Sequence, residues 1–182
     1  MLTKYNPKTD ITQFGQLKTS EFRKVRQNLQ ANEAIDEETM EILLPRKKTI
    51  QLAKCRDHIS LLIVDDVCHF LQTRDTPFVP SLRVLHRYPN ILKHVQVDKG
   101  AIKFIIRGAD VMCRGLTTPG AVLGDFEKNE VLAIHAEGKQ HAIGIGRAIM
   151  SSEEIRSVNS GIGLELIHHL GDGLWKASSF DY

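Results

Sequence analysis

Hydrophobic and polar positions repeat with two different rhythms along the chain. From Ser20 to Leu29, Phe22, Val25 and Leu29 recur at helical spacing while Arg23, Lys24 and Arg26 lie on other faces, which predicts a helix capped by Ser20. Residues 1–17 before it are polar and weakly patterned. The acidic stretch Glu33, Asp36, Glu37, Glu38 and Glu41 reads as a solvated helix face. It leads through Ile42, Leu43 and Leu44 to Pro45 and a basic surface loop, Arg46-Lys47-Lys48. From Ile50 the pattern turns to short segments rich in β-formers, IQLAKC, HISLLIV and VCHFLQT, with Asp65-Asp66 placed for a hairpin turn. SLRVLHRY then predicts a short helix that begins on Ser81 and stops before Pro89.

The rest of the chain alternates differently. Asp98 is placed to cap a helix from Lys99 to Arg107, and Gly108 to end it. DVMCRGL, EVLAIHAE, HAIGIGRAIM and IGLELIHHL read as strands, punctuated by glycines. Ser151 and Glu154 have capping-box spacing for one further helical turn. Many short strands with few helices predict a small, closed β-barrel, and the lone Trp175 after GDGL is expected to plug it. The fold class is therefore α+β, an α/β half over 1–94 and a barrel over 95–182, with the boundary near His94.

Composition narrows the classes. With 182 residues, 42% hydrophobic and 25% charged, the chain has enough apolar material for a core, which excludes a disordered tail or a disulfide scaffold. No apolar run approaches the roughly 18 residues of a membrane-spanning helix, and MLTKYNPKTD has no signal-peptide stretch. Cys55, Cys68 and Cys113 are a sparse, odd set that suits a reducing compartment, so a cytoplasmic location is expected. Net charge is only +2, unevenly spread: residues 1–94 carry 15 Lys and Arg against 11 Asp and Glu, and residues 95–182 carry 9 against 11. A nucleic-acid surface on the second half must therefore be a local patch.

Catalytic and metal-binding readings find little footing. Cys55-x-x-His58 and Cys68-His69 supply zinc-type ligands, but adjacent residues on a strand point to opposite faces, and Cys in a strand pattern acts as a small buried hydrophobe. His168-His169 splits across a strand in the same way. There is no G-x-S-x-G elbow, and GLTTPG lacks the lysine of a phosphate loop. In AIGIGRA the dinucleotide fingerprint fails at Ile149, so Gly144 and Gly146 read as a barrel bend rather than a face left bare for a ligand. No enzyme, metal or cofactor is implied.

The 99–107 segment is more informative. With Lys99 set at zero and about 100° per residue, Lys103 falls near 40° and Arg107 near 80°. Ala101, Ile102, Ile105 and Ile106 occupy the opposite arc. A basic stripe thus backs onto an apolar face. Gly108-Ala109 leaves room for a ligand backbone, Arg114 follows on a strand, and Lys139 stands in the turn Glu137–Gln140, a set that suits RNA phosphates.

RGADVMCRGLTTPGA, with EGKQHAIGIGRAIMSSEEI and NSGIGLELIHHLGDGLW, resembles the PUA domain, a pseudo-β-barrel of RNA-modifying enzymes and ribosome-associated factors. Upstream, LKTSEFRKVR, CRDHI, PFVPSLRVLHRYPNILKHVQVDKGAIKF and the later HHLGDGLW narrow the likeness to the malignant T-cell-amplified sequence family, whose fungal relatives are called translation-machinery-associated proteins. The resemblance implies an N-terminal pre-PUA domain followed by a PUA domain. It also implies a non-enzymatic RNA-binding translation factor on the small ribosomal subunit, with a density-regulated-protein partner. Its work would be removal of deacylated tRNA after termination and reinitiation. By position, the family's RNA surface falls on Lys99, Lys103 and Arg107, then Gly108, Ala109 and Asp110, and the strand from Ala142 to Arg147. The tRNA acceptor end and rRNA are the RNAs implied; no membrane is. The alternatives are a ribosome-biogenesis adaptor and the accessory subunit of an RNA-modification enzyme.

Overall fold

A computed structural model describes residues 2–177, 179 and 180. Spatial contacts divide them into two units, each discontinuous in sequence. Asn6–Ser81 with Ala177, Ser179 and Phe180 form one; Leu2–Tyr5 with Leu82–Lys176 form the other. The sequence pattern set the boundary near His94, whereas contacts group Leu82 onward with the second unit.

The first unit is built from α1 (Pro7–Asp10), β1 (Ile11–Gln16), α2 (Thr19–Gln30), α3 (Glu37–Leu43), β2 (Gln51–Cys55), β3 (Ser60–Val64), β4 (Val67–Gln72) and β5 (Val79–Pro80). The strands form one antiparallel sheet in the order β1-β2-β3-β4-β5. The hairpin at Asp65-Asp66 is present, with φ of 48° and 62°, the two left-handed residues of a type I′ turn. The acidic helix is more than a solvated face. Arg26, buried on α2, pairs with Glu37 at 2.7 Å and Glu41 at 3.2 Å and donates to the Leu44 carbonyl. Asp36, not predicted as a cap, accepts from Thr39 N at 2.7 Å and starts α3. Ser81 donates its hydroxyl to the Cys68 carbonyl.

The second unit contains α4 (Leu82–Arg87), β6 (His94–Val97), α5 (Ile102–Ile105), β7 (Val111–Met112), α6 (Arg114–Thr117), β8 (Val131–Ala136), β9 (Gly144–Ala148), α7 (Ser152–Val158), β10 (Ile162–His169) and α8 (Gly173–Lys176). Its sheet runs β6-β8-β9-β10-β7, parallel only at β6-β8. The expected closed barrel is a pseudo-barrel: β6 and β7 are edges. Beyond β6 stand one isolated bridge, the paired amides of Gln96 and Val122, and the bond from Asp98 N to the Gly115 carbonyl. Val95, Val97, Val111, Leu132, Ile134, Leu164 and Leu166 fill the interior. Gly144 and Gly146 face this packing. A Cβ there would stand 3.2 Å from the His168 carbonyl and 3.1 Å from that of Glu165, so close approach of the β10 backbone explains them, where a barrel bend was expected.

Residues 2–5, unpatterned in the sequence, belong to this unit. The Leu2 carbonyl accepts from Gly173 N at 2.9 Å, and a Cβ on Gly173 would collide with the Tyr5 backbone. Trp175 is half-buried on α8 rather than a sealed plug. Asp172, fully buried just before α8, accepts from His168 Nδ1 at 2.7 Å, His169 N at 2.9 Å and Trp175 N at 2.8 Å.

Candidate nucleic-acid interface

Asp98 shapes the site by two bonds at once. Its Oδ1 accepts from Ala101 N at 3.1 Å, and its Oδ2 accepts from the Thr118 hydroxyl at 2.7 Å. The cap works as the sequence suggests, but it starts a 3₁₀ turn, Lys99–Ala101, before α5. The predicted helix to Arg107 is thus shorter, ending at Ile105, and Gly108 N bonds the Ile105 carbonyl at 2.9 Å. A 3₁₀ turn advances about 120° per residue, so Lys99 leaves the arc of Lys103 and Arg107. Lys99 runs beside the 137–140 turn instead. Its backbone N donates to Glu137 at 3.3 Å, and its Cε lies 3.7 Å from where a Gly138 Cβ would stand. Lys99 and Lys139 are therefore grouped by that turn.

The opposite face also departs from the wheel. Ile105 is buried, but Ile106 and Phe104 are exposed, Phe104 by 53%. Phe104 falls near 140° on the same wheel, on neither arc; that position was the available signal, and sequence reasoning passed over it. With Met112 and Ile162, also exposed, it lines a groove of about 690 Å³ whose floor is apolar. Lys103, Ala109 and Arg114 border the same groove. The Lys103 ammonium sits 5.0 Å from the centroid of the Phe104 ring, a cation–π contact. Arg114 is exposed at the start of α6, a short helix where a strand was expected; Cys113 already has helical backbone angles.

Other sequence-predicted residues are placed differently. Arg107 is exposed beyond α5. Gly108 has φ of 93°, as a helix-ending glycine requires, but the side it leaves bare is occupied: a Cβ there would collide with Thr3 Oγ1 and lie 3.4 Å from His169 Nε2. That glycine serves the chain's own packing rather than a ligand backbone. Asp110, considered for a base or ribose, accepts from Leu166 N at 2.8 Å and ties the loop to β10. Arg147 on β9 pairs with Glu165 at 2.8 Å and donates to Asn129 at 3.1 Å, so its charge is internally matched and outside the groove. The structure thus gathers Lys103, Ala109 and Arg114, together with Asp98 and Asp110, around one groove, with Arg107 nearby in sequence and Lys99 and Lys139 at an adjacent turn.

Cysteine and histidine chemistry is internal. The Cys68 thiol donates to the Phe70 carbonyl, and burial pushes its pKa far above the ordinary thiol range. His69 Nδ1–H donates to the Leu43 carbonyl at 2.9 Å. Among the described residues, no three His, Cys, Asp or Glu side chains gather as a metal set. No helix among them is long and apolar enough to cross a membrane.

Comparison with known proteins places both halves. The pre-PUA-like domain family matches residues 5–89, and the PUA domain family matches residues 93–170. Malignant T-cell-amplified sequence 1 of Danio rerio is 43% identical over 180 residues, covering 99% of each chain. Malignant T-cell-amplified sequence 2 of Homo sapiens is 42% identical over the same length, again 99% of each chain. Among solved structures, a hypothetical protein of Pyrococcus horikoshii superimposes with a TM-score of 0.70 at 22% identity, over 92% of this chain and 100% of that one. A PUA domain protein of Aeropyrum pernix, solved as a tartrate complex, gives 0.68 at 23% identity, over 92% and 91%. These two likenesses show the fold.

Proposed function

The chain belongs to the malignant T-cell-amplified sequence family, a pre-PUA domain followed by a PUA domain, and from that premise we propose that it is a non-enzymatic RNA-binding translation factor. It acts on the small ribosomal subunit in the cytoplasm, in tRNA release after termination and in reinitiation, with a density-regulated-protein partner. The observation that carries the reading is the groove of the PUA unit, where Lys103 and Arg114 border an exposed aromatic ring. Cations that hold phosphates beside a ring on which a base stacks are the two elements of single-strand binding. Residues 95–182 carry two more acidic than basic side chains, so this contact is local and adds to those of the ribosome and partner. The apolar floor, with Phe104, Met112 and Ile162, also supports a protein partner, because apolar patches rimmed by polar residues mark such contacts.

The test is a salt titration of deacylated tRNA binding for the wild type and a Lys103→Ala/Arg107→Ala variant. Each lost phosphate contact lowers the log–log salt slope by about 0.7 on a single strand, so the double variant is expected to bind more weakly and to flatten the slope by about 1.4. Both side chains are exposed, so folding is expected to be unchanged. Equal affinity and slope in a normally folded variant would remove these cations from the RNA surface.

A further inference from the structure

Half of the eight histidines stand together in the PUA unit, away from the groove. His86 on α4 lies 5.0 Å, centroid to centroid, from His141 in the loop before β9, and 5.4 Å from Trp175 on α8. His94 on β6 lies 5.1 Å from His135 on β8. The Arg83 guanidinium covers the Trp175 ring at 4.7 Å and donates to the Trp175 carbonyl at 2.6 Å. His94, His141 and Arg83 are exposed, and the other three are half-buried. We propose that this row of rings is a second RNA contact of the PUA unit, one that holds single-stranded RNA more tightly as its imidazoles take up protons.

Among the described residues the four imidazoles lack a paired counter-charge. The charged groups that reach His135 are His94, His141 and His86, from β6, the 139–142 loop and α4; with burial, they hold its pKa below the ordinary imidazole range. Among the described residues, no carboxylate is hydrogen-bonded or ion-paired to any of the four. His86 is fixed as a donor by its Nε2–H bond to the Ala142 carbonyl at 2.8 Å, which leaves Nδ1 to receive a proton. A polyanion laid on the row supplies the charge the protein omits. Protonation and anion binding then favour each other by the same factor. The exposed rings of His94 and His141 add surface against which unpaired bases stack. Arg83, always charged, anchors the strand at neutral pH.

This inference rests on the RNA-binding reading above, and the experiment separates the two. Full-length protein is titrated, with EDTA present, into a fluorescent oligouridine of about 12 nucleotides, at about pH 7.5 and about pH 5.5, the range in which histidine titrates. If binding raises one imidazole pKa by a unit, affinity rises by about fivefold between those two pH values. His94→Gln/His141→Gln is expected to lower that gain and, by removing two ring surfaces, to weaken binding modestly at neutral pH. Lys103→Ala/Arg107→Ala is expected to weaken binding at both pH values and to keep the gain. A pH-independent affinity, or a gain undiminished in the histidine variant, overturns this inference alone. Absence of oligouridine binding at both pH values overturns it together with the RNA reading. Displacement of the oligouridine by an equal charge of poly-glutamate would reassign the row to an acidic protein segment.

Discussion

Replacing Asp172 by Ala removes the acceptor for three donors at once. In the folded chain its two carboxylate oxygens take bonds of 2.7 Å from His168 Nδ1, 2.9 Å from His169 N and 2.8 Å from Trp175 N, all without solvent contact at Asp172 itself. A buried donor left without a partner costs about 1–3 kcal/mol, and breaking a buried charged pair costs about 3–5 kcal/mol. Because the three donors share one site and relax together, we expect a loss of about 3–5 kcal/mol rather than a simple sum. Asp172→Asn keeps the shape and one acceptor but turns an N–H₂ toward a donor, so about half that loss is expected. Trp175 is the only tryptophan and sits at the site, so its fluorescence during urea unfolding reports this unit directly. The pH dependence has a definite sign. Burial pushes the Asp172 pKa up, but the hydrogen bond and charge of His168 and the two backbone N–H groups outweigh it, and the net shift is downward. A lowered carboxyl pKa gives stability that is present above the unfolded value of about 4 and is lost as pH falls through the folded value. The wild type is therefore expected to lose stability below about pH 4, and Asp172→Asn to flatten that limb. An Ala variant that loses less than about 1 kcal/mol would refute the account.

Two further outcomes follow from the packing. Gly108→Ala is expected to cost about 1–3 kcal/mol, since it combines a positive φ with a collision on Thr3. Adding Thr3→Ala should recover part of it, and strict additivity in a double-mutant cycle would show that Gly108 does not serve Thr3. The Cys68 thiol, pushed up by burial, is expected to resist a disulfide reagent at about pH 8 in the native protein and to react on unfolding; rapid native labelling would contradict its burial.

Where one residue had one task, the sequence was readable. The Asp65-Asp66 turn and the Ser151–Glu154 capping box both appear where local chemistry pointed. The readings that shifted involve residues serving distant partners. Asp98 binds both Ala101 and Thr118, and its helix opens as a 3₁₀ turn. Gly108 ends the helix and also admits Thr3, 105 positions earlier, which local spacing does not reveal. β1 escaped notice because an edge strand with only Ile11 and Phe14 half-buried carries no alternation strong enough to read. Exposed Phe104 looked like one more apolar residue in an apolar segment. Its significance came from Met112 and Ile162, which only the tertiary structure brings alongside.

The anchoring of residues 2–5 bears on how the chain is made. The Thr3–His169 bond spans 166 positions, and that between Leu2 and Gly173 is of similar reach. During synthesis the segment emerges well before its docking site is translated. Contacts of such separation close late, because the entropy of the intervening loop must be overcome before they form. The PUA unit therefore reaches its finished state only after the ribosome has read through Gly173, whereas the sheet of the Asn6–Ser81 segment has all its strands much earlier. A change in residues 2–5 thus burdens a unit whose other residues lie far from it in sequence, and a fragment cut to residues 93–170 lacks both that segment and its α8 latch.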